Sequence, residues 1–185
     1  MITNLSSSDI QKDINLQNSF SNASFKDLHL NCNIYKGNFY LDTFNYFIIN
    51  ENYQTFKFLF NRDYNQSYDH FYTKDFFDNF KANVANFKEL KNIFIIGSNA
   101  GNNYYSNLLQ FLPRIFFINT DNIKIAIHRN SSTKIRDFIK LILSKKKINF
   151  TYVYLDDGFY KFSECTIPQF FNLDKSISIL KKLLI

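Results

Sequence analysis

From Leu28 the chain alternates: Leu28, Leu30, Cys32 and Ile34 are apolar, while His29, Asn31, Asn33 and Tyr35 between them offer polar groups. That two-residue period is the mark of a half-buried strand. Lys36-Gly37-Asn38 then reads as a turn, with a glycine tolerant of positive φ. Phe39–Leu41 and Phe44–Ile49 read as further strands, Asn50-Glu51-Asn52 as a polar turn, and Phe56, Phe58 and Phe60 alternate again. Together they predict a small antiparallel β meander over 25–62. Residues 1–24 are rich in Ser and Asn and read as a leader, or as a short docking helix from Ser8 to Leu16. Asn61–Asp69 reads as a loop.

The period changes in the second half. Phe76, Phe77, Phe80, Val84 and Phe87 share one face of a helix that Thr73 can cap. The run Ile93-Phe94-Ile95-Ile96, closed by Gly97, reads as a strand buried on both faces. A small, polar loop follows, and then Tyr104, Leu108, Phe111 or Leu112, and Ile115 recur at helical spacing, with a kink expected at Pro113. Ile123, Ile125 and Ile127 predict a strand. Ser131 or Ser132 caps a helix with Ile135, Phe138, Ile139 and Ile142 at i, i+3, i+4 and i+7. Thr151–Leu155 reads as a strand and Asp156-Asp157-Gly158 as a turn, with Phe159–Thr166 returning as its partner or as a loop. Asp174–Ile185 predicts a last helix with Ile177, Leu180, Leu183 and Leu184 on one side. The order β-α-β-α-β places the chain in the α/β class, with a Rossmann-like part over 73–185 inside a single domain spanning 25–185.

Open α/β sheets bind ligands at the carboxyl ends of their strands. Gly97, Ser98 and Asn99 begin the loop there, and its N–H groups with the next helix N-terminus suit an anion; the alternative is a plain βα turn. The loop is neither a P-loop nor GxGxxG. Asn103, Tyr104 and Tyr105 combine amide, phenol and ring face, suited to a sugar or base, or else serve as cap and core. Arg114 reads equally as a ligand contact or as the partner of a local carboxylate. His128 and Arg129 fall at the end of the next strand, and His is the commonest general base, but surface residues are the plainer reading. Asp156-Asp157 suits a metal or a base, and beside Gly158 reads more simply as a turn.

The string Asn103-Tyr104-Tyr105-Ser106-Asn107-Leu108-Leu109-Gln110-Phe111-Leu112-Pro113-Arg114 resembles the Asn-Tyr-Tyr-His…Leu-Pro-Arg signature of glycosyltransferase family 61. The resemblance extends, as a compatible order of elements, over about 90–170. It implies two facing Rossmann-like lobes that move a sugar from a nucleotide donor, in bacteria for capsular and surface polysaccharides. It places the chain as the N-terminal, acceptor-side lobe, with Ser106 at the cleft where the family carries His. A serine there is no base at neutral pH unless activated. Donor binding in such enzymes falls mainly to the second lobe, so transfer is expected to be incomplete without it. A carbohydrate acceptor or nucleotide sugar, and a second lobe or a second copy, are the implied partners.

Composition narrows these expectations. The 185 residues carry 22 basic and 16 acidic side chains, a net charge of +6. The basic residues are dispersed except for Lys145-Lys146-Lys147, read as a solvated helix end that complements the macrodipole. No nucleic-acid partner is expected from so scattered a charge. The 23 Phe and 12 Tyr accompany heavy use of Asn, Lys and Ile, residues with AT-rich codons, so codon bias accounts for much of them. Cys32 and Cys165 make neither a metal framework nor a disulfide scaffold, and no cofactor or metal is expected. No signal peptide and no membrane-length apolar run is seen, which predicts a cytoplasmic protein. A non-catalytic Rossmann-like binding or assembly module stands as the alternative to the transferase.

Overall fold

The computed structural model describes residues 20–25, 30–43, 47–49, 74–96, 107–168, 177 and 179–181. They form a mixed α/β fold built on one mixed sheet of eight strands. The strands are β1 (Phe20–Phe25), β2 (Leu30–Asp42), β3 (Phe47–Ile49), β4 (Lys88–Lys91), β5 (Ile93–Ile95), β6 (Ile123–His128), β7 (Phe150–Leu155) and β8 (Phe159–Pro168). Helix α1 spans Lys74–Asn83 and α2 spans Thr133–Lys145. The main order is β1-β2-β8-β5-β6-β7, with β3 beside β2 and β4 beside β8.

Strands β5, β6 and β7 run parallel, as their apolar runs predict, and α2 connects β6 to β7. Ser132, rather than Ser131, caps α2: its Oγ accepts the Ile135 N–H at 3.3 Å. Ile135, Ile139, Ile142 and Leu143 press that helix onto Phe94, Ile96, Ile125 and Ile127, one face of the parallel strands. Each buried Ile or Leu contributes about 1.5–3 kcal/mol relative to exposure. Residues 179–181 are helical and add Ile179 and Leu180 to this core, while Ile177 is 38% exposed; the rest of the helix expected over Asp174–Ile185 lies outside the described residues.

Four sequence expectations are revised. The span 36–38 is no turn: β2 is one strand of 13 residues whose register with β8 shifts between Gly37 and Phe39, a bulge that bends a strand without ending it. Phe20–Phe25, whose first residues were assigned to the leader, pairs antiparallel with β2. The helix expected to reach Phe87 ends at Asn83, and Lys88–Lys91 forms a strand parallel to β8. Finally, β8 is not the neighbour of β7: it lies between β2 and β5, so the antiparallel strands and the parallel ones are one sheet rather than successive parts. The expected strand at Phe56–Phe60 lies outside the described residues.

The placement of β8 forces a fold in the sheet. Strands β7 and β8 run the same way, yet only residues 156–158 join them. A link from Leu155 to Phe159 reaches about 14 Å at most, too short to cross two strands and return the length of a flat sheet. The chain solves this with a crease. Glu164 in β8 (φ 55°) and Asn92 between β4 and β5 (φ 54°) are both left-handed, and both lie level with the bulge in β2. Bonds tie the crease across the three strands, Asn92 N–H to Ser163 O at 3.1 Å and Glu164 N–H to Asn38 Oδ1 at 3.0 Å. One core then takes Phe39, Leu41, Tyr160 and Phe162 from before the crease, and Ile93, Ile95, Ala126, Leu155, Cys165 and Ile167 from the strands beyond it. Phe39 stacks on Phe162 at 5.2 Å, and Phe80 of α1 meets Tyr40, Phe87 and Phe159 edge-on.

Candidate functional site

The crease brings the start of β8 to the carboxyl ends of β6 and β7, where His128, Arg129, Asp156 and Asp157 converge. The link between β7 and β8 is held from both sides. The Thr43 hydroxyl donates to Asp156 O at 2.6 Å and accepts the Gly158 N–H at 2.9 Å. Thr43 N–H bonds Gly158 O at 2.9 Å, and the Tyr160 hydroxyl accepts the Asp156 N–H at 3.0 Å. Gly158 sits at φ 143°, a conformation that disfavours any side chain. The turn expected from Asp-Asp-Gly thus forms, and it aims both carboxylates back at β6.

Asp157 Oδ1 lies 3.0 Å from His128 Nε2. The other ring nitrogen, Nδ1, accepts the Asn130 N–H at 3.2 Å. Neutral His128 therefore carries its proton on Nε2 and donates it to Asp157. The ring is buried, only 4% exposed, whereas the Asp157 side chain is 59% exposed. The plainer expectation of a surface His128 is corrected: its odd-numbered neighbours face α2, and His128 shares the opposite, buried face with Ala126. Arg129 does lie at the surface. It grips Asp156 with two bonds, Nε to Oδ1 at 2.5 Å and Nη2 to Oδ2 at 3.1 Å. The hydrogen bond and charge of Arg129 hold the Asp156 carboxyl below the usual carboxylate range.

Beside this cluster, Tyr154 receives two guanidinium groups, Arg129 at 5.7 Å and Arg136 at 5.9 Å from its ring centre. Arg136 Nη1 also donates to Ser131 O at 2.9 Å, and Tyr152 donates its hydroxyl to Arg136 O at 2.9 Å. Burial pushes that phenol well above its ordinary range. Sequence reading passed over Tyr154 and Arg136; the signal available was an exposed aromatic in phase with two core aromatics on one strand.

Arg114 is placed elsewhere. Pro113 lacks an N–H and its ring clashes with the carbonyl four residues back, so the expected kinked helix resolves into a π turn, Asn107–Phe111, followed by a 3₁₀ turn, Leu112–Phe117. Arg114 is 0% exposed within that 3₁₀ turn, among Leu112, Ile115 and Phe117. The basic run is not wholly solvated either: Lys146 Nζ reaches the carbonyls of Phe116 and Ile118, and burial lowers its pKa. Gly97, Ser98, Asn99, Asn103, Tyr104, Tyr105 and Ser106 lie outside the described residues.

Among the described residues, no three His, Cys, Asp or Glu side chains come together as metal ligands, and no helix is long and apolar enough to cross a membrane. Cys165 is buried and free of any disulfide. The class that these observations define is a mixed α/β protein with a polar cluster at the carboxyl ends of adjacent parallel strands. Comparison with protein-family models, with curated proteins and with solved structures finds no match.

Proposed function

We propose that this chain is the acceptor-side lobe of a glycosyltransferase similar to family 61, acting in surface polysaccharide synthesis and inactive without a donor-binding lobe. The reading takes β5, β6, α2 and β7 as a Rossmann-like unit. The observation that carries it is the cluster His128, Arg129, Asp156 and Asp157 at the carboxyl ends of β6 and β7. Open α/β sheets present ligand contacts at that edge. Exposed carboxylates and a guanidinium offer the acceptors and donors that sugar hydroxyls need. In this reading the resemblance also assigns Asn103, Tyr104, Tyr105 and Ser106 of the signature to the acceptor site. His128 orients Asp157 rather than acting as a free base, because both of its ring nitrogens are engaged.

Calorimetric titration with oligosaccharide acceptors and with nucleotide sugars tests this. Weak acceptor binding, lost in Asp157→Asn and Arg129→Ala, with no transfer by the chain alone, is the expected result. Turnover by the chain alone would overturn the requirement for a second lobe. Failure to bind any acceptor would shift the reading to a non-catalytic binding or assembly module. The burial of His128 favours that second reading, since it withdraws the imidazole from the exposed part of the cluster.

A further inference from the structure

Strand β7 ends the sheet, and its outer edge pairs with no strand among the described residues. Asn149 O and Leu155 O accept the N–H groups of Ile123 and Arg129. In a parallel ladder, alternate residues face each neighbour, so 149, 151, 153 and 155 turn their backbone to β6. Phe150, Tyr152 and Tyr154 therefore turn their N–H and C=O groups outward. The segment Phe-Thr-Tyr-Val-Tyr-Leu has no charge, Pro or Gly, the devices that usually blunt an edge. By contrast β4, paired among the described residues with β8 alone, carries Lys88, Glu89 and Lys91.

The flank of this edge is basic. Arg136 covers Tyr154, and Lys140, one helical turn further along α2, is exposed on the same side. Neither has a carboxylate within ion-pair distance among the described residues, whereas Arg129 is already matched by Asp156. Asp137 is the acidic neighbour on this helix, and its charge acts on Tyr152.

We propose that the β7 edge docks an extended segment of a partner protein, adding a strand whose side chains on the α2 face are carboxylates. Main-chain bonds to Phe150, Tyr152 and Tyr154 supply the pairing, and Arg136 and Lys140 select acidic over basic segments. A second copy of this chain fits less well. Two-fold pairing that satisfies the outward groups centres on Tyr152 and sets Arg136 and Lys140 against their own copies, on a chain of net charge +6. The inference does not depend on the sugar-binding reading.

The test uses the full chain and two fluorescein-labelled decapeptides, one alternating Thr and Glu, the other Thr and Lys. The Glu peptide is expected to bind about tenfold tighter, more weakly as salt rises, and to slow amide exchange at Tyr152 and Tyr154. Arg136→Glu with Lys140→Glu should invert the preference between peptides, and Tyr154→Pro, which removes an outward N–H, should weaken both. Equal binding of the two peptides, or binding that leaves β7 amide exchange unchanged, overturns the proposal. So does concentration-dependent dimerisation abolished by Tyr154→Pro, which assigns the edge to a second copy. The exchange measurement and the charge-reversal variant decide the matter even if Tyr154→Pro fails to fold.

Discussion

Replacing Lys147 by glycine is expected to stabilise the protein. Lys147 follows α2 in the left-handed conformation, φ 56°. Its N–H bonds Ser144 O at 3.0 Å, and the Ile148 N–H bonds Leu143 O at 2.9 Å. These are the two crossed bonds of a Schellman cap, and Leu143 and Ile148 add its usual apolar contact. Glycine or asparagine normally takes this place because an L side chain there costs about 1–2 kcal/mol. Removing the side chain relieves that cost. Against it stand about 0.4–1 kcal/mol for the freer unfolded chain and about 0.3 kcal/mol for a cation lost from the helix C-terminus. The balance is a gain of about 0.5 kcal/mol. At 2–4 °C per kcal/mol for a chain of this size, Tm should rise by about 1–2 °C. Urea denaturation followed by circular dichroism should show a higher midpoint at constant slope. Lys140→Gly, inside α2, is the control and should cost about 1 kcal/mol. Lys147→Val should be worse than wild type. If Lys147→Gly costs as much as Lys140→Gly, or Lys147→Val is neutral, the capping argument is wrong.

Four further outcomes follow from the site and the core. A Cβ at residue 158 would meet nothing within 4 Å, so Gly158→Ala isolates the backbone cost of φ 143° and should lower stability by about 1–3 kcal/mol in denaturation; Thr43→Val should cost a similar amount by stripping the Gly158 N–H and Asp156 carbonyl of their partner. Burial pushes the Cys165 thiol up to about 11 from 9.0. The unfolded chain then ionises first, so this contribution is whole below pH 9 and is lost as pH rises toward 11. The fall in urea midpoint between those pH values should be shallower in Cys165→Ala than in wild type. Long-range proton–nitrogen NMR spectra, recorded at a pH where the ring carries one proton, should show that proton on Nε2 of His128, and a proton on Nδ1 would refute the Asn130 contact as drawn.

The legible parts of this protein were the local ones. Strand β6, helix α2 and strand β7 followed from alternation and helical spacing over a dozen residues, and a serine cap was visible at the head of α2. Gly37 misled, because glycine serves a turn and a bulge equally well, and only pairing with β8 on both sides of the bulge distinguishes them. Asp156-Asp157-Gly158 was rightly a turn signal, yet its carboxylates also bind residues 29 and 27 positions away. The buried state of His128 was readable in principle from its phase with Ala126; the rank of Arg114 among the largest fully buried side chains was not.

By itself the sequence determined which segments are apolar on one face and therefore which must be covered: hydrophobic period and capping act over one or two turns, within reach of neighbours along the chain. The tertiary structure alone decided the order of strands. Nothing local tells β8 to cross to the far side of β5, to bend at Glu164, or to leave β7 with an edge unpaired among the described residues. Those choices are settled by how the two cores close around Phe39, Phe162 and Ile95 on one side and Ile127 and Ile139 on the other. Burial is shared among residues far apart in sequence, and no single segment contains the information for it.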